Sequence, residues 1–224
     1  MIKFQPFVGK NYLSSIWKLR IMVLGESHYC ANPADAIPTI TQNIITDLYN
    51  PNSPHEPYKN TYTKFTNALS GEKLYFEGKK RVWDNVMFYN YVQFPIAGAR
   101  QEPTEQKFND SESSFWEILE KYRPNKIIVW GQRLYNHLPR KGYQLPDIIA
   151  PDGKAIETWA YTLQDGTEIQ LLPITHPSAA FSPEYWHKVI MKFLALIATI
   201  NVVKKNITPE INEKARNKSY EIFS

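Results

Sequence analysis

Residues Lys18–Tyr29, with the sequence KLRIMVLGESHY, decide the fold of this chain. Ile21–Leu24 is an unbroken apolar run that ends directly in Gly25 and a group of polar or amphipathic side chains. A short apolar run that ends in a turn signal is typical of a strand buried on both faces of a sheet. Because ligands bind at the carboxyl ends of strands in open α/β sheets, this stretch predicts a strand that carries chemically capable side chains to a binding edge.

Three further apolar runs follow the same pattern, at Val86–Val92, Lys126–Trp130 and Glu168–Thr175. Asn90 lies within the first of these runs, GQR follows the second at 131–133, and HPS follows the third at 176–178. Four strands that deliver polar groups to one edge of a sheet predict a single composite site there.

The order of strands and helices predicts an α/β protein, a three-layer α/β/α sandwich whose central sheet has about four mainly parallel strands. Residues 1–206 are expected to form one domain, and 207–224 a polar C-terminal tail in which a short helix could form. Pro146 and Pro151 favour a linker over residues 141–154, and the turn at Gly166 favours a hairpin around it. Helices are predicted over 34–48, 61–69 and 112–122, after Gly131, and from Pro183 onward.

Bulk composition favours a folded globular protein over a disordered one, since 43% of the 224 residues are hydrophobic and 21% are charged. A net charge of +4 permits a nucleic-acid partner without demanding one. A single cysteine, Cys30, excludes a disulfide within the chain and a cysteine-based metal cluster. With no apolar signal core at the start and no run of membrane-spanning length, we expect a cytoplasmic protein that has no membrane partner.

Two side chains at the predicted edge suit ligand chemistry. A neutral His176 could donate a hydrogen bond to negative charge that develops on a departing group. Asn90 presents an acceptor and a donor on one side chain, which can bind the edge of a base. The alternative for Asn90 is a strand-end residue that bonds its own backbone.

Glu26, Ser27 and His28 place an acid, a hydroxyl and an imidazole within one turn. A Ser/His/Glu nucleophilic triad is one interpretation, although the sequence lacks the nucleophile-elbow pattern of α/β-hydrolases. A metal site formed by Glu26, His28 and His176 is another, but no spacing specifies one. We therefore expect no metal and no cofactor.

Taken in order, these motifs resemble the uracil-DNA glycosylase superfamily over roughly residues 20–200. The best-known members carry Gly-Gln-Asp-Pro-Tyr after the first strand, an Asn after a hydrophobic run, a Trp-Gly after a buried strand, and a His-Pro-Ser loop. The segment from Asn90 through Arg100 to Glu105 is also similar to the Asn-to-Pro-x-Glu segment of the iron–sulfur-containing branches.

The resemblance implies a glycosylase fold and a role in base excision repair, in which a flipped-out base is cut from DNA. Asn90 would bind the uracil edge, His176 would hydrogen-bond the base oxygen, and Tyr29 would exclude the methyl group of thymine. Gly25 would lie against the base. The remaining residues expected to contact DNA are the Pro177-Ser178 turn, Phe181 as a wedge into the base stack, and Arg100.

This chain departs from the family pattern at the position of the water-activating Asp, where it has Ser27, and at the following Pro, where it has His28. Serine is neutral and cannot act as that base, so His28 or Glu26 would have to act on the water. The cysteines that bind an iron–sulfur cluster in related branches are absent, so no cluster is implied.

Three functions therefore stay open at this point. The first is a glycosylase for uracil or another deaminated or modified base. The second is a superfamily member that binds nucleic acid or a nucleotide without excision. The third is a small-molecule hydrolase that uses Ser27 with His28 or His176. For the first two, the expected partner is single- or double-stranded DNA, a nucleobase or a nucleotide, and the chain is expected to be a monomer.

Overall fold

A computed structural model describes residues 2–98 and 101–207 of the chain. Within these residues one mixed sheet of seven strands organises the fold. The strands are β1 Phe7–Val8, β2 Ile21–Gly25, β3 Val86–Asn90, β4 Lys126–Trp130, β5 Tyr143–Ile149, β6 Ala155–Thr162 and β7 Glu168–Ile174. Their order across the sheet is β1-β3-β2-β4-β7-β6-β5.

The centre of the sheet is parallel, as the four apolar runs predicted. β2 pairs in parallel with β3 and with β4, and β4 pairs in parallel with β7. The prediction of a mainly parallel sheet of about four strands is nevertheless wrong, because β1, β5 and β6 add antiparallel pairs at the two sides.

The segment interpreted as a linker explains most of this error. Residues 143–149 form the edge strand β5, in which Pro146 lies at a shift of register between Leu145 and Ile148. An edge strand tolerates proline at such an irregularity because its outer side needs no hydrogen-bond donor. The predicted hairpin around Gly166 is confirmed as β6 and β7, whose strands pair antiparallel.

Helices pack on both faces of the sheet. They are α1 Ile40–Asp47, α2 Tyr58–Ser70, α3 Phe76–Trp83, α4 Glu105–Tyr122, α5 Gln132–His137 and α6 Pro183–Ile207. One apolar core includes residues of α1, α2 and α6, and the other includes residues of α4 and α5. No helix among the described residues is both long enough and apolar enough to cross a membrane.

Two helix boundaries differ from the prediction for local reasons. The predicted helix over 34–48 begins only at Ile40, because Pro38 disfavours helical backbone at the residue before it. α4 begins at Glu105 rather than near 112, because Thr104 caps it by accepting a hydrogen bond from the backbone N–H of Lys107. α6 ends at Ile207, and the tail predicted over 207–224 lies outside the described residues from 208 onward.

Strand alternation brings the polar strand ends to one face of the sheet. Val23, Phe88 and Ile128 belong to the core beneath α2. Residues two positions further along a strand point to the same face, so Gly25, Asn90 and Trp130 lie on the α2 face at the carboxyl edge. His176 follows two residues after Ile174, which belongs to the same core.

The opposite edge of the sheet buries a lysine. Lys126 is fully buried at the start of β4 and donates hydrogen bonds to Gln170 Oε1 and to the carbonyl oxygen of Phe193, the second over 2.9 Å. Burial lowers the pKa of Lys126 from 10.5 to about 7, and the charge of Glu168 acts against this shift. A neutral amine still has two N–H donors, one for each of these two oxygens.

We expect Lys126 to make the free energy of unfolding rise with pH between about 7 and 10.5. Within that range the folded state binds fewer protons than the unfolded state, so the slope reaches at most about 1.4 kcal/mol per pH unit. Urea denaturation from about pH 7.5 to 9.5, below tyrosine titration, measures it. Lys126→Met should flatten the slope, whereas Lys192→Met, at an exposed lysine, should not. Equal slopes in the two variants would contradict the assignment of this pH dependence to Lys126.

Candidate functional site

Gly25 and Asn90 meet at the carboxyl edge, where they are paired in register between β2 and β3. A Cβ atom on Gly25 would lie 2.1 Å from Asn90 Oδ1 and 2.9 Å from Phe88 Cζ. The carboxamide of Asn90 therefore occupies the space that any side chain at position 25 would need. This close approach is the physical reason for glycine at the end of β2.

The carboxamide of Asn90 makes no hydrogen bond among the described residues. The residue is 4% exposed, and its side chain makes no hydrogen bond to any residue in 2–98 or 101–207. The alternative in which Asn90 bonds its own backbone is not observed. An amide held in this state is suited to bind a ligand.

The opposite wall of the site is built by the turn after β4. Gly131 has φ +98°, and its N–H donates to the carbonyl oxygen of Ile174 over 2.9 Å. An ideal Cβ on Gly131 would lie 3.5 Å from the Cβ of His176. The rings of Trp130 and His176 meet edge to face with their centroids 5.9 Å apart. The turn thus brings the imidazole against the end of β4.

The proton on neutral His176 is located by its neighbour. The backbone N–H of Ser178 donates to His176 Nδ1 over 3.2 Å, and Ser178 Oγ lies 2.7 Å from the same nitrogen. Since a backbone N–H can only donate, Nδ1 accepts, and Nε2 carries the proton. Burial lowers the pKa of His176, while Glu26 raises it and Arg133 lowers it. At neutral pH the ring is therefore an uncharged hydrogen-bond donor.

A cluster of aromatic rings connects the Asn90 side of the site to the turn after β4. The Trp130 ring lies 5.2 Å from Phe88, 5.2 Å from Tyr62 and 5.1 Å from Phe65, measured between centroids. The indole N–H of Trp130 is buried with no hydrogen-bond partner among the described residues. Tyr62 was not recognised from the sequence, because an aromatic residue at helical spacing is equally typical of an ordinary core position.

Glu26 is held by an arginine that the sequence analysis did not single out. Arg133 Nε and Nη2 bind the two carboxylate oxygens of Glu26 at 2.8 and 2.6 Å, and Nη1 lies 2.5 Å from Glu102 Oε1. The hydrogen bonds that Arg133 donates to Glu26 are the main cause that raises the pKa of Arg133, so the guanidinium stays charged. With both oxygens engaged, Glu26 is not free to activate a water. The sequence offered one signal for Arg133 as a site residue, namely its position two residues after Gly131 at the end of a strand.

His28 is enclosed by Phe4 and Thr41. It is 3% exposed, its Nε2 lies 2.9 Å from Thr41 Oγ1, and its ring meets Phe4 edge to face at 5.0 Å. Burial lowers its pKa from 6.5 to about 4, so it is neutral and enclosed. The hydroxyl of Ser27 is buried and has no partner of hydrogen-bond geometry among the described residues, although it lies close enough to lower the pKa of Tyr29.

Tyr29 stands at the rim of the site and is 46% exposed. Burial of its inner part and the charge of Glu26 raise the pKa of its phenol. Its backbone is held in place because the loops after β2 and β3 continue to pair: Ile96 N–H donates to the carbonyl of His28 over 2.9 Å, and Cys30 N–H donates to that of Ile96 over 2.8 Å.

The residues expected to contact DNA have different surroundings. Pro177 is buried, and Ser178 is exposed and bonded to His176. Phe181 is 8% exposed and stacks on Trp186 with ring centroids 6.1 Å apart, which makes it a core residue as it stands. Arg100 lies outside the described residues.

Two shallow grooves, of about 360 and 560 Å³, lie beside Thr175 and share Ala155, Ile156 and Trp186 in their linings. Neither is lined by Asn90 or His176. We place the site at Asn90 and His176 because Asn90 makes no side-chain hydrogen bond among the described residues and the indole N–H of Trp130, against His176, is buried without a partner there. Among the described residues, no group of three or more His, Cys, Asp and Glu side chains is arranged to hold a metal ion.

No protein-family model matches this chain, and no curated protein matches it. The interpretation of the site therefore depends on its geometry and on the sequence motifs.

We expect Gly25→Ala to displace Asn90, because its Cβ would lie 2.1 Å from Oδ1. Overpacking of this kind costs about 1–3 kcal/mol of the free energy of unfolding. The side-chain amide resonances of Asn90 should also shift in NMR spectra. Gly98→Ala is the matched control, since Gln101 Cδ, at 3.7 Å, is the nearest atom that its Cβ would meet among the described residues beyond its chain neighbours. Unchanged Asn90 resonances in Gly25→Ala would contradict the close contact.

We expect neutral His176 to carry its proton on Nε2 and to titrate below its ordinary pKa of 6.5, because it is partly buried. The ¹⁵N shifts of the ring nitrogens across a pH titration measure both properties. Ser178→Ala keeps the backbone N–H and should keep this tautomer. A ring protonated on Nδ1, or a midpoint above 6.5, would contradict the hydrogen-bond assignment.

Proposed function

We propose that this protein is a DNA glycosylase with a uracil-DNA glycosylase-like fold, which hydrolyses the N-glycosidic bond of uracil or another deaminated or modified base. The observation that carries the proposal is the carboxamide of Asn90, which has no side-chain hydrogen bond among the described residues, on the same sheet face as the Nε2–H of His176. The base would have to be flipped out of the stack to enter the site.

Asn90 and His176 supply complementary chemistry for this reaction. The carboxamide offers one acceptor and one donor side by side, which matches a ring N–H next to a carbonyl on a base edge. When the glycosidic bond breaks, negative charge moves onto the base oxygen. A neutral donor held ready at that oxygen stabilises the charge in the transition state. The low pKa of His176 supports the role of an uncharged donor.

The rim of the site supports selection among bases. Tyr29 lies four residues beyond Gly25 and keeps 46% of its surface exposed at the mouth. A ring at this place would contact the outer edge of a base that is bound to Asn90 and would exclude a methyl substituent. The Pro177-Ser178 turn would approach the backbone of the flipped nucleotide.

Water activation is the weakest part of the catalytic arrangement. Ser27 is neutral, Glu26 is paired with Arg133, and His28 is enclosed against Phe4 and Thr41. Stabilisation of the leaving group by His176 would then supply most of the rate, and we propose a slow enzyme. Ser27→Asp would add the carboxylate that the resembling enzymes use.

The same observations favour a second candidate, a protein that binds a base or nucleotide without excising it. The groups that we propose to bind a base are Asn90 and His176, whereas the carboxylate of Glu26 is paired with Arg133. A serine hydrolase finds less support, because the described contacts of His28 and His176 are to Thr41 and Ser178 rather than to Ser27.

Excision is tested with labelled oligonucleotides that carry uracil, hypoxanthine or xanthine, single-stranded and paired, followed by alkaline cleavage. We expect wild type to cleave, and His176→Ala to lose about 10²–10³-fold in rate, as for removal of one oxyanion-hole donor. Asn90→Ala should lose activity as well. The matched control is His55→Ala, at an exposed histidine in the loop before α2.

Absence of cleavage on every substrate would contradict the glycosylase proposal. Binding of the same oligonucleotides that is lost in Asn90→Ala would then establish the second candidate. An increased rate in Ser27→Asp would identify the missing carboxylate as the limit on catalysis.

A further inference from the structure

We propose that Gln93 is a positioning residue, which holds Asn90 in its ligand-binding orientation by tying the end of β3 to the N-terminal segment and to α4. The proposal rests on the proposed function in so far as Asn90 is taken to bind a base. It adds a residue, and a part of the chain, to which neither the sequence motifs nor the site geometry described so far assigned a role.

Gln93 is 4% exposed, and both ends of its carboxamide are used. Its Oε1 accepts hydrogen bonds from the backbone N–H groups of Lys3 and Phe4 over 3.0 and 2.9 Å. Its Nε2 donates to the carbonyl oxygen of Asn90 over 2.7 Å. Because the two backbone N–H groups can only donate, the oxygen must face them and the nitrogen must face Asn90.

The backbone of Gln93 also binds a third element, α4. Its N–H donates to Ser111 Oγ over 3.0 Å, and that hydroxyl donates to the carbonyl of Lys107 over 2.7 Å. Both residues belong to α4. Gln93 thus connects three segments that are far apart in sequence: the N-terminal residues, the end of β3 and the first turns of α4.

The strand pairing of the sheet explains why the hydrogen bond from Gln93 to Asn90 lies at this position. The N–H of Tyr91 donates to Gly25 on β2, so the carbonyl of Asn90 points to the other side of β3, towards β1. β1 pairs with β3 only through Phe7 and Val8 and ends before it reaches Asn90. The side chain of Gln93 supplies the hydrogen bond that a longer β1 would have supplied.

The N-terminal segment reaches the first motif loop as well. Phe4 is fully buried, and its ring meets His28 edge to face at 5.0 Å. Phe4 therefore supports the loop after β2 through His28, and Lys3 and Phe4 together support the end of β3 through Gln93. Asn90 and Gly25 come from these two strands, so their close contact depends on both supports.

The first test does not depend on any activity. We compare the side-chain amide resonances of Asn90, by NMR of the full chain, in wild type, Gln93→Leu and Gln93→Glu. Leucine removes every side-chain bond of Gln93, whereas an ionised glutamate still accepts from Lys3 and Phe4 but cannot donate to Asn90. We expect the Asn90 amide signals to shift or broaden in both variants.

Gln170→Leu is the matched control, since Gln170 is 3% exposed and lies beside Lys126 at the opposite edge of the sheet. It should destabilise the protein and leave the Asn90 signals unchanged. If Gln93→Leu and Gln93→Glu also leave them unchanged, or if Gln170→Leu alters them equally, the positioning role is overturned. These results decide the proposal even if wild type excises no base.

The second test is a double-mutant cycle on uracil excision. A misplacement of about 1 Å can cost roughly 10²-fold in rate, so we expect Gln93→Leu to lose roughly 10- to 100-fold. In the Asn90→Ala background Gln93→Leu should cause no further loss, because it acts through Asn90. Equal losses in both backgrounds would show that Gln93 acts only through stability, and would overturn the proposal while leaving the glycosylase function intact.

Discussion

The contact of the Asn90 carboxamide with the bare backbone of Gly25 is the constraint on which the rest of the site depends. It requires β2 and β3 to pair in parallel and in one register, since a slip of one residue would turn Asn90 to the other face. It also requires glycine at position 25, because a Cβ would lie 2.1 Å from Oδ1. The loops beyond both strands continue the pairing through Ile96, which keeps Tyr29 at the rim of the same site.

At the carboxyl edge of the sheet, the charges of Glu26 and Arg133 act on the neutral imidazole of His176. Glu26 and Arg133 both act on the pKa of His176, in opposite directions, and their two-point ion pair makes these effects offset each other. Burial then decides the outcome and keeps His176 uncharged at neutral pH. The same ion pair occupies the carboxylate of Glu26. Because this ion pair engages a candidate base, we propose binding of a base with slow rather than rapid hydrolysis.

The site could be predicted from the sequence where its residues follow directly from strand ends. Gly25, Asn90, Trp130 and His176 each belong to, or follow, an unbroken apolar run, and that pattern is local. The orientation of a side chain in a loop is not local. His28 was a catalytic candidate by its place in the motif, but Phe4 and Thr41 enclose it. Phe181 was a candidate wedge, but it packs on Trp186.

By itself the sequence determined the four parallel strands, the hairpin of β6 and β7, and the polar groups at the strand ends, because apolar runs and turn residues act over a few neighbours. Only the tertiary structure decided the antiparallel edges of the sheet, the pairing of Glu26 with Arg133, and the tie from Gln93 to Lys3 and Phe4. The last two join residues 107, 90 and 89 positions apart in the chain. Such contacts depend on how complete elements pack against one another, and no pattern of neighbouring residues encodes them.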